Sequence, residues 1–363
     1  MGPSSAKKKK PTLIDLFAGC GGFTEGFKQA GYEPVAAIEW DPSAAATYSA
    51  NFGDHTLISD IRDVPVQELP HSDVIVGGPP CQGFSRLGTG DLDDERNTLW
   101  KQFLKIVEVV QPQHFVVENV PAFLSSDQFM LFENALKTKK LKSYQMCSAI
   151  VDCADYGVPQ RRKRAIVIGS QIAQPSLPQA THGSSNDCEW NTLKTALHKI
   201  PHHPHSSKLP DLVNESGVPG PFTPQDIHLA RNPTQLSLDR YDMIPPGGGR
   251  FDLPDELKPP CWLNKPTGTT DVMGRLRWEE PSVTIRTEFW KPEKGRYLHP
   301  EWSKTDPSQR VNRPITHWEA ARIQTFPDRY QWCGNRIEIG RQIGNAVPPL
   351  FARRLAEHLL TFA

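Results

Sequence analysis

Between residues 12 and 170 the chain alternates short apolar runs, rich in β-branched residues, with longer stretches whose apolar positions recur every three or four residues. Runs at 12–17, 34–40, 73–78, 115–120 and 164–170 have the length of buried strands, and 25–30, 43–52, 98–110 and 129–137 have helical spacing. Strands taking turns with helices form a parallel sheet covered by those helices, with ligands beyond the carboxyl ends of the strands. The expected fold class is therefore α/β with an open sheet.

After residue 170 this pattern fades. Proline, histidine and glycine crowd together at 201–210, 245–249 and 254–260. So long an interval without clear elements fits a loop-built recognition region. The histidines of 201–205 have no partner ligands at useful spacing and read as a linker, so no metal is expected. Regularity returns as a helical stretch at 316–324 and an amphipathic helix at 350–360.

A length of 363 residues allows one large or two unequal domains. The 41 Lys and Arg cancel the 41 Asp and Glu, so a polyanionic partner would have to be met by local charge. Seven cysteines without a CxxC pair suit neither a disulfide scaffold nor a zinc ribbon and point to a reducing cytoplasm. Residues 1–10 read as a disordered basic tail ending in the run Lys7 to Lys10, and no apolar window is long enough to span a membrane.

Several strand ends carry candidate chemistry. In Asp15-Leu-Phe-Ala-Gly-Cys-Gly-Gly-Phe23 a strand runs into glycines and then a helix, where backbone can approach a ligand closely. The next strand ends in Glu39-Trp40-Asp41, placing an acid about twenty residues on, where ribose hydroxyls are held in dinucleotide folds. Trp40 offers a face to an adenine, and Asp60-Ile61 offers an acceptor and a second face. Together these point to a nucleoside cofactor. Gly77-Gly-Pro-Pro-Cys-Gln-Gly-Phe-Ser85 then sets Cys81 on a proline-rigidified loop at the ligand edge, a position that exposes a nucleophile. Glu118-Asn-Val120 brings a carboxylic acid to the same edge, and the arginines of Gln160-Arg-Arg-Lys-Arg164 supply rigid donors for carbonyl or phosphate oxygens. Gln342-Ile-Gly-Asn-Ala-Val-Pro-Pro349 reads as a polar turn ahead of the last helix.

In identity and order these pieces, with Arg322 to Asp328 and Gly344-Asn345, resemble the bacterial type of cytosine-C5 DNA methyltransferase over nearly all of residues 12–362. The resemblance implies a Rossmann-like, S-adenosylmethionine-dependent large domain (11–185 plus 340–363) and an inserted, smaller, loop-rich target-recognition domain (186–339). It implies S-adenosylmethionine at Phe17, Gly19, Gly21, Glu39, Trp40, Asp60, Ile61, Pro80, Leu99 and Asn345, released as S-adenosylhomocysteine. Cys81 is then the nucleophile, Glu118 serves ring N3, Arg164 binds O2 of the base, and Arg162 positions Glu118 by charge-assisted hydrogen bonds. The expected partner is double-stranded DNA, contacted by Gln82, Ser85, Arg231, Arg240, Arg250, Arg275 and Arg277. A monomer in the cytoplasm is expected, either with a cognate restriction endonuclease as companion or as a solitary enzyme. A tRNA-modifying member of the family would share the catalytic motifs, but the long interval from about 186 to 310 favours DNA. A catalytically silent relative would not need Cys81, Glu118 and Arg164 together, and a simple dehydrogenase would not need the Pro-Pro-Cys loop.

Overall fold

The computed structural model describes residues 9–80, 98–184, 186, 188–264 and 271–362; Cys81, Gln82, Ser85 and most of the basic tail lie outside the described residues. In chain order the first part comprises β1 (Thr12–Leu16), α1 (Gly22–Gln29), β2 (Glu33–Glu39), α2 (Pro42–Phe52), β3 (Thr56–Ile58), β4 (Val74–Gly77), α3 (Trp100–Val110), β5 (His114–Asn119), α4 (Asp127–Leu136), β6 (Gln145–Asp152) and β7 (Lys163–Ser170). The strands form one seven-stranded sheet in the order β3-β2-β1-β4-β5-β7-β6. β1 to β5 pair in parallel, so the chain moves outward from β1 to β3 and then returns to β4 on the other side of β1. The crevice beyond the carboxyl ends of β1 and β4 is thus the switch point where open sheets bind ligands.

The sheet is not wholly parallel, as the strand pattern suggested. β7 runs antiparallel between β5 and β6. β6 is an edge strand whose faces alternate between exposed and half-buried, so it carries no continuous apolar run. The connection at 153–162 is too short for a crossover helix and returns the chain antiparallel.

The remainder adds α5 (Leu193–Ala196), α6 (Gln235–Met243), α7 (Pro260–Leu263), a two-stranded ribbon of β8 (Gly274–Arg275) and β9 (Arg296–Leu298), then α8 (His317–Ile323), α9 (Arg336–Asn345) and α10 (Pro349–Leu359). Gln342 to Asn345 form the last turn of α9, not a turn between helices as the sequence suggested. Among the described residues no helix is long and apolar enough to cross a membrane.

One face of the sheet buries Ile14, Leu16, Ile75, Phe115 and Val117 against Phe103 and Phe132 of α3 and α4. The other buries Leu13, Val74, Val76 and Ile168 against Phe27 of α1 and Phe351 and Leu355 of α10. A small separate core of Tyr241, Ile244, Leu253, Met273 and Leu298 lies within the loop-rich interval. The segment around α8 and α9 instead packs on α2: Asn51 Nδ2 donates to Gln331 O (2.8 Å), Cys333 N to Thr47 Oγ1 (2.8 Å), and Thr47 Oγ1 to Gln342 Oε1 (2.7 Å). Packing therefore continues across residue 339, where the sequence-based domain boundary fell.

The closing helix α10 crosses α1 at Gly26, where a Cβ would stand 2.4 Å from Pro349 O and 2.5 Å from Ala352 Cβ. Gly26→Ala should lower stability by about 1–3 kcal/mol through this overpacking. An unshifted urea midpoint would show that α10 can yield.

Candidate active site

β1 ends at Leu16, and the chain then turns through three residues of positive φ, Phe17 (59°), Gly19 (55°) and Gly21 (86°), before α1 begins. Left-handed backbone costs glycine little, but at Phe17 it stores strain of about 1–3 kcal/mol, a feature that clusters at functional sites. At the end of β2 the Glu39 carboxylate is buried. Its Oε2 accepts from Gly19 N (2.8 Å), and its Oε1 accepts from Trp40 N (2.9 Å) and Asp41 N (2.8 Å). Burial raises its pKa, and these three N–H groups pull the other way. The glycine turn is thereby bound to the acid that the sequence placed beside a ribose. Trp40 next to it is 73% exposed, a free aromatic face at a strand end. Asp60 follows β3 and is held ionised by Arg62, whose Nε and Nη2 donate to it at 3.0 and 2.7 Å. Ile61 is buried, Pro80 and Leu99 are half-buried, and Asn345 is exposed at the end of α9. A fixed carboxylate, an open indole and a glycine turn suit an adenosyl ligand.

Behind this turn Asp15 is fully buried, and burial pushes its carboxyl up to about 8 against a hydrogen bond from Thr24 Oγ1 (2.7 Å). Thr24 Oγ1 also lies 3.1 Å from Tyr48 Oη, which lies 3.2 Å from His55 Nε2, so a polar chain supports the glycine turn from below.

Glu118 lies near the carboxyl end of β5, and its Oε1 stands 2.7 Å from Arg164 Nε at the start of β7, an ion pair whose N–H does not point along the contact. A Cβ on Gly78 would lie 3.4 Å from Glu118 Oε2, and Asn119 Nδ2 donates to Pro79 O (3.0 Å). The backbone leading into residue 81 is therefore fastened beside Glu118. Arg162 takes a different place from the one expected. It makes no hydrogen bond to Glu118; it is 1% exposed, with Nη1 donating to Ile285 O (3.2 Å) and Nη2 to Gly344 O (3.2 Å) and Asn345 O (3.5 Å). Burial and the neighbouring Arg164 push its pKa down to about 9. A strand alternates its faces, but it was the sheet partner of Arg164, not the sequence, that decided which arginine meets the acid.

Sequence reasoning gave no role to Gln160, Gln324 or Asn119. Gln160 Oε1 accepts from Ile285 N (2.8 Å), and its Nε2 donates to Gln324 Oε1 (2.7 Å), while Gln324 Nε2 reaches Ile343 O (2.5 Å). Gln160, Asn119 and Gln324 all stood inside recognised motifs, Gln324 within Arg322 to Asp328 just past the end of α8, which was the available signal.

The five arginines proposed to meet DNA do not form one surface. Arg275 is fully buried, donating to Ile244 O, His299 O and Tyr241 O (each 2.7 Å), Val311 O (3.0 Å) and Asn312 Oδ1 (2.9 Å), so it braces the loops and does not reach outward. Arg231 donates to Trp290 O (2.6 Å) and Arg240 to Leu257 O (2.7 Å). Arg250 is buried over the Phe251 ring at 4.5 Å, and exposed Arg277 pairs with Glu280 at 2.7 Å.

Residues 12–361 match the family model for C-5 cytosine-specific DNA methylases. The chain is 32% identical to the Type II methyltransferase M1.HphI of Haemophilus parahaemolyticus over 96% of this chain and 86% of that one. It is 33% identical to M.DdeI of Desulfomicrobium norvegicum, covering 96% and 88%. Its fold is similar to that of a prophage-encoded E. coli protein assigned as a DNA modification methyltransferase (TM-score 0.71, 24% identity, 97% and 99% covered) and of S. pombe Dnmt2 (0.64, 16%, 97% and 99%). A mixed seven-stranded sheet with its polar groups at the strand ends defines a Rossmann-like methyltransferase. The chain belongs to the C-5 cytosine-specific DNA methylase family, enzymes that methylate cytosine in DNA and whose methyl donor is S-adenosylmethionine.

Two outcomes follow from burial. Arg275→Ala should lower stability by about 3–5 kcal/mol, since it strips donors from buried carbonyls; loss of DNA affinity at unchanged stability would contradict the bracing role. Because the native state holds the Asp15 proton more tightly than the unfolded chain, its contribution is complete below pH 3.8 and is lost as pH rises through about 8. Asp15→Asn, which mimics the protonated acid, should flatten that decline in urea midpoints taken across the range; an equally steep decline would place the ionisation elsewhere.

Proposed function

We propose that this enzyme methylates carbon 5 of cytosine within a specific sequence of double-stranded DNA, by flipping the base and bonding it covalently to Cys81. The observation that carries the reading is the Glu118–Arg164 pair at 2.7 Å, standing where Asn119 fastens the loop that leads to residue 81.

Cytosine inside a duplex is out of reach, and extruding it costs a few kcal/mol. The flipped base replaces the contact between Glu118 and Arg164 with its own edge: Arg164 donates to O2, and Glu118 holds a proton at N3. The Cys81 thiolate adds its electron pair to carbon 6, and the displaced ring electrons make carbon 5 nucleophilic. S-adenosylmethionine, when bound along Phe17, Gly19, Gly21, Glu39, Trp40, Asp60, Ile61, Pro80, Leu99 and Asn345, supplies the electrophilic methyl group and is left as S-adenosylhomocysteine. Loss of the carbon 5 proton then restores the ring double bond and expels the Cys81 thiolate. Arg162 is a positioning residue that fixes the start of β7 to α9. Gln82 and Ser85 approach DNA from the Cys81 loop, and the interval from about 186 to 310 holds the sequence preference. The enzyme acts as a monomer, either beside a cognate restriction endonuclease or as a solitary methyltransferase.

Cys81→Ser should abolish transfer while cofactor binding by calorimetry persists. A duplex with 5-fluorocytosine at the target should trap wild type in a cofactor-dependent adduct on a denaturing gel, because fluorine does not leave as a proton does; no adduct would overturn the covalent route. Glu118→Gln should slow single-turnover chemistry by about 10²–10⁴-fold with little change in cofactor affinity.

A further inference from the structure

Two adjoining cavities of about 400 and 210 Å³ share Asp271, Val283 and Arg296 in their walls and together make one groove. Arg161, Arg277, Arg286 and Arg296 line it, against the carboxylates of Asp271 and Glu280. Two of these cations are already neutralised: Arg161 by Asp152 (2.7 Å), with its guanidinium also 4.1 Å from the Trp190 ring, and Arg277 by Glu280 (2.7 Å). The other two are not. Arg286 Nη1 donates to Lys294 O (3.1 Å) and Arg296 Nη1 to Gly247 O, and among the described residues neither makes an ion pair with a carboxylate. One carbonyl each aims these guanidinium groups and leaves most of their donors free.

The groove is fixed to the catalytic strand. Ser282 N donates to Pro159 O (2.9 Å), Arg161 N to Ser282 O (2.7 Å) and Thr284 Oγ1 to Arg161 O (2.8 Å), so the 282–286 segment lies along 159–162, directly before Arg164. Arg161 of the groove wall stands three residues before Arg164 in the chain, so the groove adjoins the site proposed for the target base. Pre-aimed arginines without a protein counter-ion suit phosphate oxygens, which position a duplex without reading its sequence.

We infer that Arg286 and Arg296 are the phosphate clamps of this enzyme, holding the DNA backbone next to the flipped cytosine in the groove they line with Arg161 and Arg277. The inference rests on the reading of Glu118 and Arg164 as the target-base site. It replaces arginines chosen by sequence, of which only Arg277 lines the groove.

The test is binding of the full chain to labelled duplexes, with and without its methylation site, across a series of potassium chloride concentrations. Arg286→Ala and Arg296→Ala should each weaken both duplexes alike and lower the slope of log affinity against log salt by about one. Arg286→Lys and Arg296→Lys, which keep the charge, should restore most of the slope. Arg353→Ala, on α10 beside Glu357, should leave it unchanged. Unchanged cofactor affinity in calorimetry shows that the variants are folded. An unaltered slope in both alanine variants overturns the clamp, and so does a loss confined to the duplex with the site, which would mark base reading. A wild type whose duplex binding is indifferent to salt would overturn the parent reading and the clamp with it.

Discussion

Arg162 is enclosed on every side, and a buried guanidinium without acceptors would destabilise the fold by several kcal/mol. It meets the carbonyls of Ile285, Gly344 and Asn345, which lie on two segments far from it in the chain. Two of those carbonyls belong to the last turn of α9, where helix geometry leaves oxygens unpaired and the dipole favours a cation. Gln160 and Gln324 extend the same bonding to Ile285 N and Ile343 O. The start of β7, the 282–286 segment and the end of α9 are thus locked together. Arg164, Arg286 and Asn345, proposed to meet a base, a phosphate and a cofactor, take their relative positions from that lock.

The loop-rich interval obeys a related constraint. Backbone carbonyls withdrawn from water need donors, and a region with few helices and one short ribbon has no ladder to supply them. Arg275 does so for Tyr241, Ile244, His299 and Val311, next to the small core of Tyr241, Ile244 and Leu298. Loops can then vary outside a centre braced by one side chain. Glycine plays the complementary part beside the sheet: a Cβ at Gly22 would stand 2.2 Å from Val347 O, so the glycine turn and the chain entering α10 are packed backbone to backbone.

Periodicity marked β1, β2, β4, β5 and β7 and the helices between them, because buried strands and amphipathic helices leave local signatures in residue order. It missed the edge strands β3 and β6, whose half-exposed positions need no apolar run, and with β6 it missed the antiparallel turn of the sheet. Motif spacing brought Glu39, Trp40, Glu118 and Arg164 to the strand ends where they stand. It assigned Glu118 the wrong arginine partner, because the antiparallel register of Glu118 on Ile166 is a contact between segments about fifty residues apart.

Residue order alone therefore determined the class of fold, the family and the chemical groups at the sheet's ligand edge, since each is written in short runs whose meaning is local. The tertiary structure decided which cations are free. Arg275 and Arg286 are alike in sequence, both in proline- and glycine-rich surroundings without periodicity. One is consumed by six acceptors drawn from three segments distant in the chain, and the other is left with a single carbonyl beside an open groove. Whether an arginine braces a fold or meets a ligand depends on the acceptors that folding brings around it, and those acceptors are backbone oxygens that every residue possesses.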